Sequence, residues 1–199
     1  MQFYVNNLLK YIDLQTGFYI EVGANDGIDQ SYTYELEKMG WKGLLIEPSR
    51  KAFKNCIINR SEENEFYNCA LVGYDGITAI RGDFDGHPMS SIGGKRLNRK
   101  EQIIVPARTL NSILGELEIE KIDLFSLDVE GFEAEVLRGF DLKKYKPKFI
   151  VIEINSVVAD EVGELLRDYK IVTNLTGYNK EQYPQWDGTH NDYLYELES

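Results

Sequence analysis

Short apolar runs alternate with helix-patterned segments along this chain, and that alternation is the signature of a mostly parallel sheet with helices on both faces. Phe3, Leu8, Leu9 and Ile12 share one face of an expected leading helix. Residues 18–22 read as a first strand, and residues 32–39 as a helix stopped by Gly40. Residues 44–47 read as a second strand, where Pro48 forbids continuation and Ser49 can cap the next helix. A third strand is expected over 65–72, a fourth over 122–128 and a fifth over 149–154, with helices over 132–140 and 158–168. Residues 171–173 and 193–195 are expected to form an antiparallel pair at the sheet edge. The Asp75-Gly76, Asp85-Gly86 and Gly93-Gly94 turns mark residues 74–108 as an inserted hairpin with a long loop. Residues 1–199 therefore read as one α/β domain.

Composition narrows the function. With 43% hydrophobic and 12% aromatic residues, the chain of 199 is globular and large enough for a continuous core. It carries neither the basic start and apolar run of a signal peptide nor an apolar stretch near the roughly 20 residues that span a bilayer. Cys56 and Cys69 make neither a disulfide framework nor a metal cluster, so the chain reads as cytoplasmic, with reduced core thiols. A net charge of -11 repels phosphate backbones and argues against nucleic acid as a substrate. The basic run Lys95-Arg96 with Arg99-Lys100 reads as a solvated loop before it reads as a grip for an anionic group.

The first strand ends in Glu21-Val22-Gly23-Ala24-Asn25-Asp26-Gly27, and about twenty residues later the second ends in Glu47. Glycines at such a turn permit positive φ and close approach of a ligand, and an acid ending the next strand can accept both ribose hydroxyls of an adenosine. A tight strand-to-helix turn would use the same glycines for structure alone. The dinucleotide pattern G-x-G-x-x-G is absent, and Asp26 would repel a pyrophosphate. The same carboxylate tolerates the ammonium and sulfonium of S-adenosylmethionine, so charge favours the methyl donor over a nucleotide.

The second group of acids is Asp128 and Glu130, beside Gly131 at the end of the fourth strand, with Glu153 inside the otherwise apolar fifth. The C-terminal ends of parallel strands form the ligand-binding edge of such sheets. The structural alternative has Glu130 capping a helix and Asp128 binding backbone amides. Glu153, as a lone acid among apolar residues, must pair with a cation or face the cleft.

Glu21-Val-Gly-Ala-Asn-Asp-Gly27, Ile46-Glu-Pro48, Asn68-Cys-Ala-Leu71, Ser90-Ser91, Arg108-Thr-Leu110, Leu127-Asp-Val-Glu-Gly131, Val136-Leu-Arg-Gly139 and Val151-Ile-Glu153 follow one another along the chain. In that order they resemble the FkbM family of S-adenosylmethionine-dependent methyltransferases, from about residue 18 to residue 154. The resemblance implies a Rossmann-like methyltransferase fold with a mostly parallel seven-stranded sheet and an antiparallel edge strand. It also implies transfer to oxygen on sugars, glycolipids or polyketide-like products. It matches Gly23, Asn25 and Gly27 to the donor loop, Glu47 to the ribose acid and Ala70 to the adenine-side turn; Glu21 and Asp26 complete that donor set. Ser126 departs from the family, which usually has lysine there.

The expected reaction is in-line attack of a hydroxyl of a small-molecule or glycan acceptor on the sulfonium methyl. The catalytic set is Asp128, Glu130, Glu153 and His190, with Asp128 as the favoured proton acceptor and His190 as its helper. A rarer expectation is Mg²⁺ or Ca²⁺ held by Asp128, Glu153 and Asn155. His87 reads as a surface residue. Residues 87–94 read as a lid in which Ser90 and Ser91 make a turn or touch a sugar. Tyr178, Tyr183, Trp186, Tyr193 and Tyr195 read as edge-strand packing or a sugar-stacking surface. The rival readings are a non-catalytic nucleotide- or metabolite-binding module and a small NAD-dependent dehydrogenase.

Overall fold

A computed structural model describes residues 7–94, 97, 101–184, 186 and 188–198. Phe3 and the basic run 95–100, apart from residue 97, lie outside the described residues. In chain order the elements are β1 (Phe18–Val22), α1 (Tyr34–Lys38), β2 (Lys42–Ile46), α2 (Arg50–Asn59), β3 (Glu65–Tyr67), β4 (Ala70–Leu71), β5 (Ala79–Gly82) and β6 (Ile103–Arg108). There follow α3 (Leu110–Glu116), β7 (Leu124–Leu127), α4 (Glu133–Arg138), α5 (Leu142–Tyr145), β8 (Phe149–Asn155), α6 (Ala159–Leu165), β9 (Tyr169–Asn174) and β10 (His190–Leu197).

Seven strands make one sheet in the order β3-β2-β1-β7-β8-β10-β9. The first five pair in parallel. At the other end β10 runs antiparallel to both β8 and β9, which is the antiparallel element expected at the sheet edge. Because side chains alternate along a strand, each buried strand feeds two cores. Tyr19, Leu45, Leu124, Val151 and Leu194 face Leu8, Leu36, Trp41 and Cys56 on one side of the sheet. Ile20, Leu44, Phe125 and Ile150 face Ile113 of α3, Leu137 of α4 and Val162 of α6 on the other.

Two local expectations are corrected. The third strand is two strands in two sheets: β3 pairs with β2, whereas β4 joins β6, which also pairs with β5. The break falls at Asn68, whose Nδ2 donates to the carbonyls of Glu47 at 2.8 Å and Pro48 at 3.1 Å, so the chain turns there instead of continuing along the ladder. The expected hairpin is the β5–β6 pair. Helix α3, not anticipated, is capped by Thr109, whose hydroxyl accepts from the Ser112 amide; Leu110, Ile113 and Leu114, spaced for one helical face, are fully buried.

Candidate active site

The parallel strands point their C-terminal ends to one edge, and β10, running the other way, starts there. Residues from β1, β2, β7, β8 and β10 therefore meet around one cavity of about 450 Å³, the place where open α/β sheets bind ligands. Glu21, Gly23, Asn25, Glu47, Ala70, Asp128, Glu130, Glu153 and His190 all line it. Asp26 and Gly27 do not. Asp26 Oδ1 accepts from the amides of Ile28 at 2.9 Å and Asp29 at 2.8 Å, which closes the turn on itself.

The turn glycines answer to packing. Gly23 has φ 83°, and a Cβ there would lie 1.8 Å from the Asp128 carbonyl oxygen. The glycine lets β1 and β7 close side by side at the mouth of the cavity. Asn25, at φ 47°, also occupies the left-handed region, and its amide donates to Glu47 Oε2 at 2.9 Å.

Glu47 emerges where Pro48 ends β2. Its second oxygen accepts from the Ser49 amide at 2.7 Å, so two backbone N–H groups fix the carboxylate without neutralising it. Burial pushes its pKa up to about 7; the two amides oppose the rise and the charge of Asp128 adds to it. Glu21 is different. Its Oε2 receives Arg60 Nη1 at 3.0 Å, the Ser31 hydroxyl at 3.0 Å and the Thr33 hydroxyl at 2.6 Å, and Arg60 also binds Glu37 at 2.8 Å. Glu21 anchors a buried ion pair beneath the turn.

At the far end of the cavity, Asp128, Glu133 and Glu153 each bring a carboxylate oxygen within 4.8 Å of the others. Glu133 takes the place expected for Asn155, whose Oδ1 instead accepts from the Val157 amide at 3.0 Å. Glu133 also accepts from the amides of Val129 at 3.2 Å and Gly131 at 3.0 Å, in the turn before α4, and no described side chain caps that helix, so the helix-capping alternative for Glu130 is not seen. Glu130 sits at φ 57°. Glu153 faces the cavity, with His190 Nε2 3.8 Å from its Oε1.

Two residues the sequence reading passed over complete this end. Asp192 lies opposite Glu153 in the β8–β10 ladder and accepts the Tyr32 hydroxyl proton at 2.6 Å. Burial, then the charge of Asp128, pushes its pKa up to about 7 against that hydrogen bond. The signal was the two-residue spacing of His190 and Asp192, which puts both on one face of a strand.

The loop before β6 closes the cavity from above: His87, Ser90 and Ser91 line it. The serines serve the loop itself, Ser90 Oγ donating to the Asp83 carbonyl at 3.0 Å and the Ser91 amide to Asp83 Oδ1 at 2.7 Å. Tyr178 stands edge-on to His190 with centroids 6.1 Å apart, and Trp186 packs beside both. No described helix is long and apolar enough to cross a membrane.

Comparison with known proteins bears on the family and the fold. A family described as Methyltransferase FkbM domain matches residues 21–195. A curated relative, the hexuronic acid methyltransferase AglP of Haloferax volcanii, is 26% identical over 110 residues, which take in 54% of this chain and 46% of the relative. The chain thus matches less than half the length of that protein. Among solved structures, a ribosomal protein L11 methylase from Lactobacillus delbrueckii subsp. bulgaricus aligns over 100% of this chain and 78% of its own, with a TM-score of 0.56 and 9% identity. Aeropyrum pernix fibrillarin, solved with natively bound S-adenosyl-L-methionine, aligns over 95% and 72%, with a TM-score of 0.51 and 11% identity. At such identities the two structures establish the Rossmann-like methyltransferase fold alone. The family match runs from the end of β1 into the last strand: the chain belongs to the FkbM methyltransferase family.

Proposed function

We propose that this chain is an S-adenosylmethionine-dependent methyltransferase that methylates a hydroxyl of a sugar, glycolipid or related small metabolite. The observation that carries the reading is Glu47, a buried carboxylate fixed by two backbone amides, at one end of a cavity whose other end holds Asp128, Glu153 and His190. The cavity volume falls within the roughly 300–1,000 Å³ typical of small-ligand sites. Glu47 is placed to accept the ribose hydroxyls, and Gly23, Asn25 and Ala70 to contact the rest of the adenosyl group.

S-adenosylmethionine supplies an electrophilic methyl group on sulfur. The chain's contribution is chiefly alignment, which can lower a barrier by on the order of 7–11 kcal/mol. Asp128 takes the acceptor's proton as the new C–O bond forms, with His190 beside Glu153 as helper and Glu130 close by. The carboxylates of Asp128, Glu133 and Glu153 are of the type that holds Mg²⁺ or Ca²⁺, and the proton path proposed does not pass through a cation. The hexuronic acid activity in the name of AglP supports a sugar as acceptor.

Calorimetry with S-adenosylmethionine and S-adenosylhomocysteine, followed by transfer of labelled methyl to a glycan panel with and without EDTA, tests the reading. Binding of both nucleosides and labelling of a glycan hydroxyl are expected, with activity persisting in EDTA. Binding of NAD with none of S-adenosylmethionine ends the reading; activity restored only by Mg²⁺ replaces the metal-free proton path. Asp128→Asn should lower turnover at least about tenfold, and unchanged turnover would remove Asp128 as the base.

A further inference from the structure

On the methyltransferase reading above, the turn from Glu21 to Gly27 carries the donor contacts of Gly23 and Asn25. Both ends of that turn meet one nitrogen of one side chain. Arg60 Nη1 donates to Glu21 Oε2 at 3.0 Å and to the Gly27 carbonyl at 3.0 Å. The other nitrogens anchor the guanidinium: Nε donates to Glu37 Oε2 at 2.8 Å, and Nη2 to the Tyr19 and Thr33 hydroxyls at 2.7 and 2.9 Å. All five N–H groups of the fork thus have acceptors. The side chain is fully buried, and Arg60 does not line the cavity. It acts on a ligand through the turn or not at all.

Two further details fit a clasp. Gly27, at φ 83°, would bring a Cβ to 2.8 Å from Arg60 Cγ, so the glycine matched to the donor loop makes room for the arginine's stem. The hydroxyls of Ser31 and Thr33 and Arg60 Nη1 all meet Glu21 on Oε2, which pins the carboxylate of an acid that lines the cavity. With its ends held, the turn presents the Asn25 amide to Glu47 Oε2 at 2.9 Å, the bond that orients the proposed ribose acid. We infer that Arg60 is a positioning residue for donor binding: its Nη1 clasps the two ends of the donor turn and thereby sets the places of Gly23, Asn25 and Glu47.

The test is the calorimetric affinity of the full chain for S-adenosylhomocysteine and 5′-methylthioadenosine, at a temperature where urea titration shows each variant folded. Arg60→Lys keeps the charge but loses the fork. Both nucleosides should then bind at least about tenfold more weakly, because the ligand must itself order the turn. The two losses should agree within about threefold, since the turn serves the adenosyl part that both ligands share. Glu37→Gln weakens the anchor at Nε and leaves the Nη1 bridge. Its unfolding midpoint should fall while both affinities of the folded protein stay within about twofold of wild type. Thr33→Val keeps the side-chain shape but removes one partner each from Arg60 and Glu21, and should weaken both nucleosides about threefold.

A merely structural role would lower the unfolding midpoint of Arg60→Lys and leave the affinities of the folded protein unchanged, and that result overturns the inference. Equal weakening in Glu37→Gln and Arg60→Lys also overturns it and gives the effect to the network at large. A loss confined to S-adenosylhomocysteine does the same and gives the effect to the Glu21 carboxylate at the amino-acid end of the donor. Should Arg60→Lys not fold, unchanged affinities in Thr33→Val overturn the inference. Failure of the wild-type chain to bind either nucleoside ends the methyltransferase reading itself, and this inference with it.

Discussion

The regions below and above the first glycine turn both bury carboxylates, and they treat them in opposite ways. Below, Glu21 and Glu37 share Arg60, whose guanidinium also meets the Tyr19 and Thr33 hydroxyls at 2.7 and 2.9 Å and the Gly27 carbonyl at 3.0 Å. Above, Glu47 and Asp192 receive hydrogen bonds but no described guanidinium or ammonium, and their pKa values rise to about 7. A buried acid with its own cation is a structural solution. A buried acid held only by dipoles has a charge that remains to be met, and a bound ligand can meet it. Two acids that look alike at the ends of adjacent strands thus have different work.

The largest effect should come from breaking the lower region. Arg60→Met leaves Glu21 buried without its cation and should cost about 3–5 kcal/mol of stability, read from urea unfolding midpoints. Adding Glu21→Gln and Glu37→Gln to that variant should recover a good part of the loss, because the stranded charges go with the guanidinium. A cost under about 1 kcal/mol for Arg60→Met would show that the network is not what holds the turn.

A smaller effect is expected above the turn. Glu47 holds a proton in the native state up to about pH 7, whereas in the unfolded chain it releases it near its ordinary 4.5. Native stability is therefore lost as pH rises from about 4.5 to 7, and the deficit stays above that. Glu47→Gln removes this titration but sets its amide nitrogen against one of the two backbone N–H donors, so its stability should stay flat from pH 4 to pH 8, where the wild type loses roughly 1–3 kcal/mol. The same variant should bind 5′-methylthioadenosine at least about tenfold more weakly, since charge-assisted hydrogen bonds to ribose are worth about 1.5–3 kcal/mol each. That ligand carries no amino acid group, so its wild-type affinity should rise from pH 6 to pH 8 as Glu47 ionises, and be flat in the variant. A flat wild-type profile would remove Glu47 from the ribose site.

The contrast between the two regions also separates what the sequence discloses from what it hides. Strand-end acids such as Glu47 and Asp128 are legible because a run of apolar residues stopping at an acid marks both the strand and its end. The Leu110, Ile113 and Leu114 spacing of α3 was equally present, though Asn111, Ser112 and Gly115 weaken its local helical preference. What cannot be read locally is whatever depends on a distant partner. The split between β3 and β4 follows from Asn68 reaching the β2 end, and Arg60 reads as an ordinary helix-end base until α2 packs beneath the turn. Asp192 joins the site only because β10 threads between β8 and β9, which sets it against Glu153 and within reach of Tyr32.

The smallest predicted effect sharpens the comparison at a single backbone position. Glu130 is held at φ 57°, a left-handed conformation that costs a side chain with a Cβ about 1–2 kcal/mol. Asparagine tolerates that region better, since its short side chain can bond locally, and it avoids the unfolded-state entropy that glycine would add. If the turn alone governed the residue, Asn would suit position 130 better than Glu. The amides of this turn are met by Glu133, which accepts from those on both sides of Glu130. Glu130 lines the cavity beside Asp128, and a role for its carboxylate there would account for the strained position. Glu130→Asn should then raise stability by a few tenths to about 1 kcal/mol while lowering methyl transfer about tenfold, with the donor still bound. Stability gained with turnover unchanged would make Glu130 a residue of the turn and leave the acceptor end to Asp128, Glu153, His190 and Asp192.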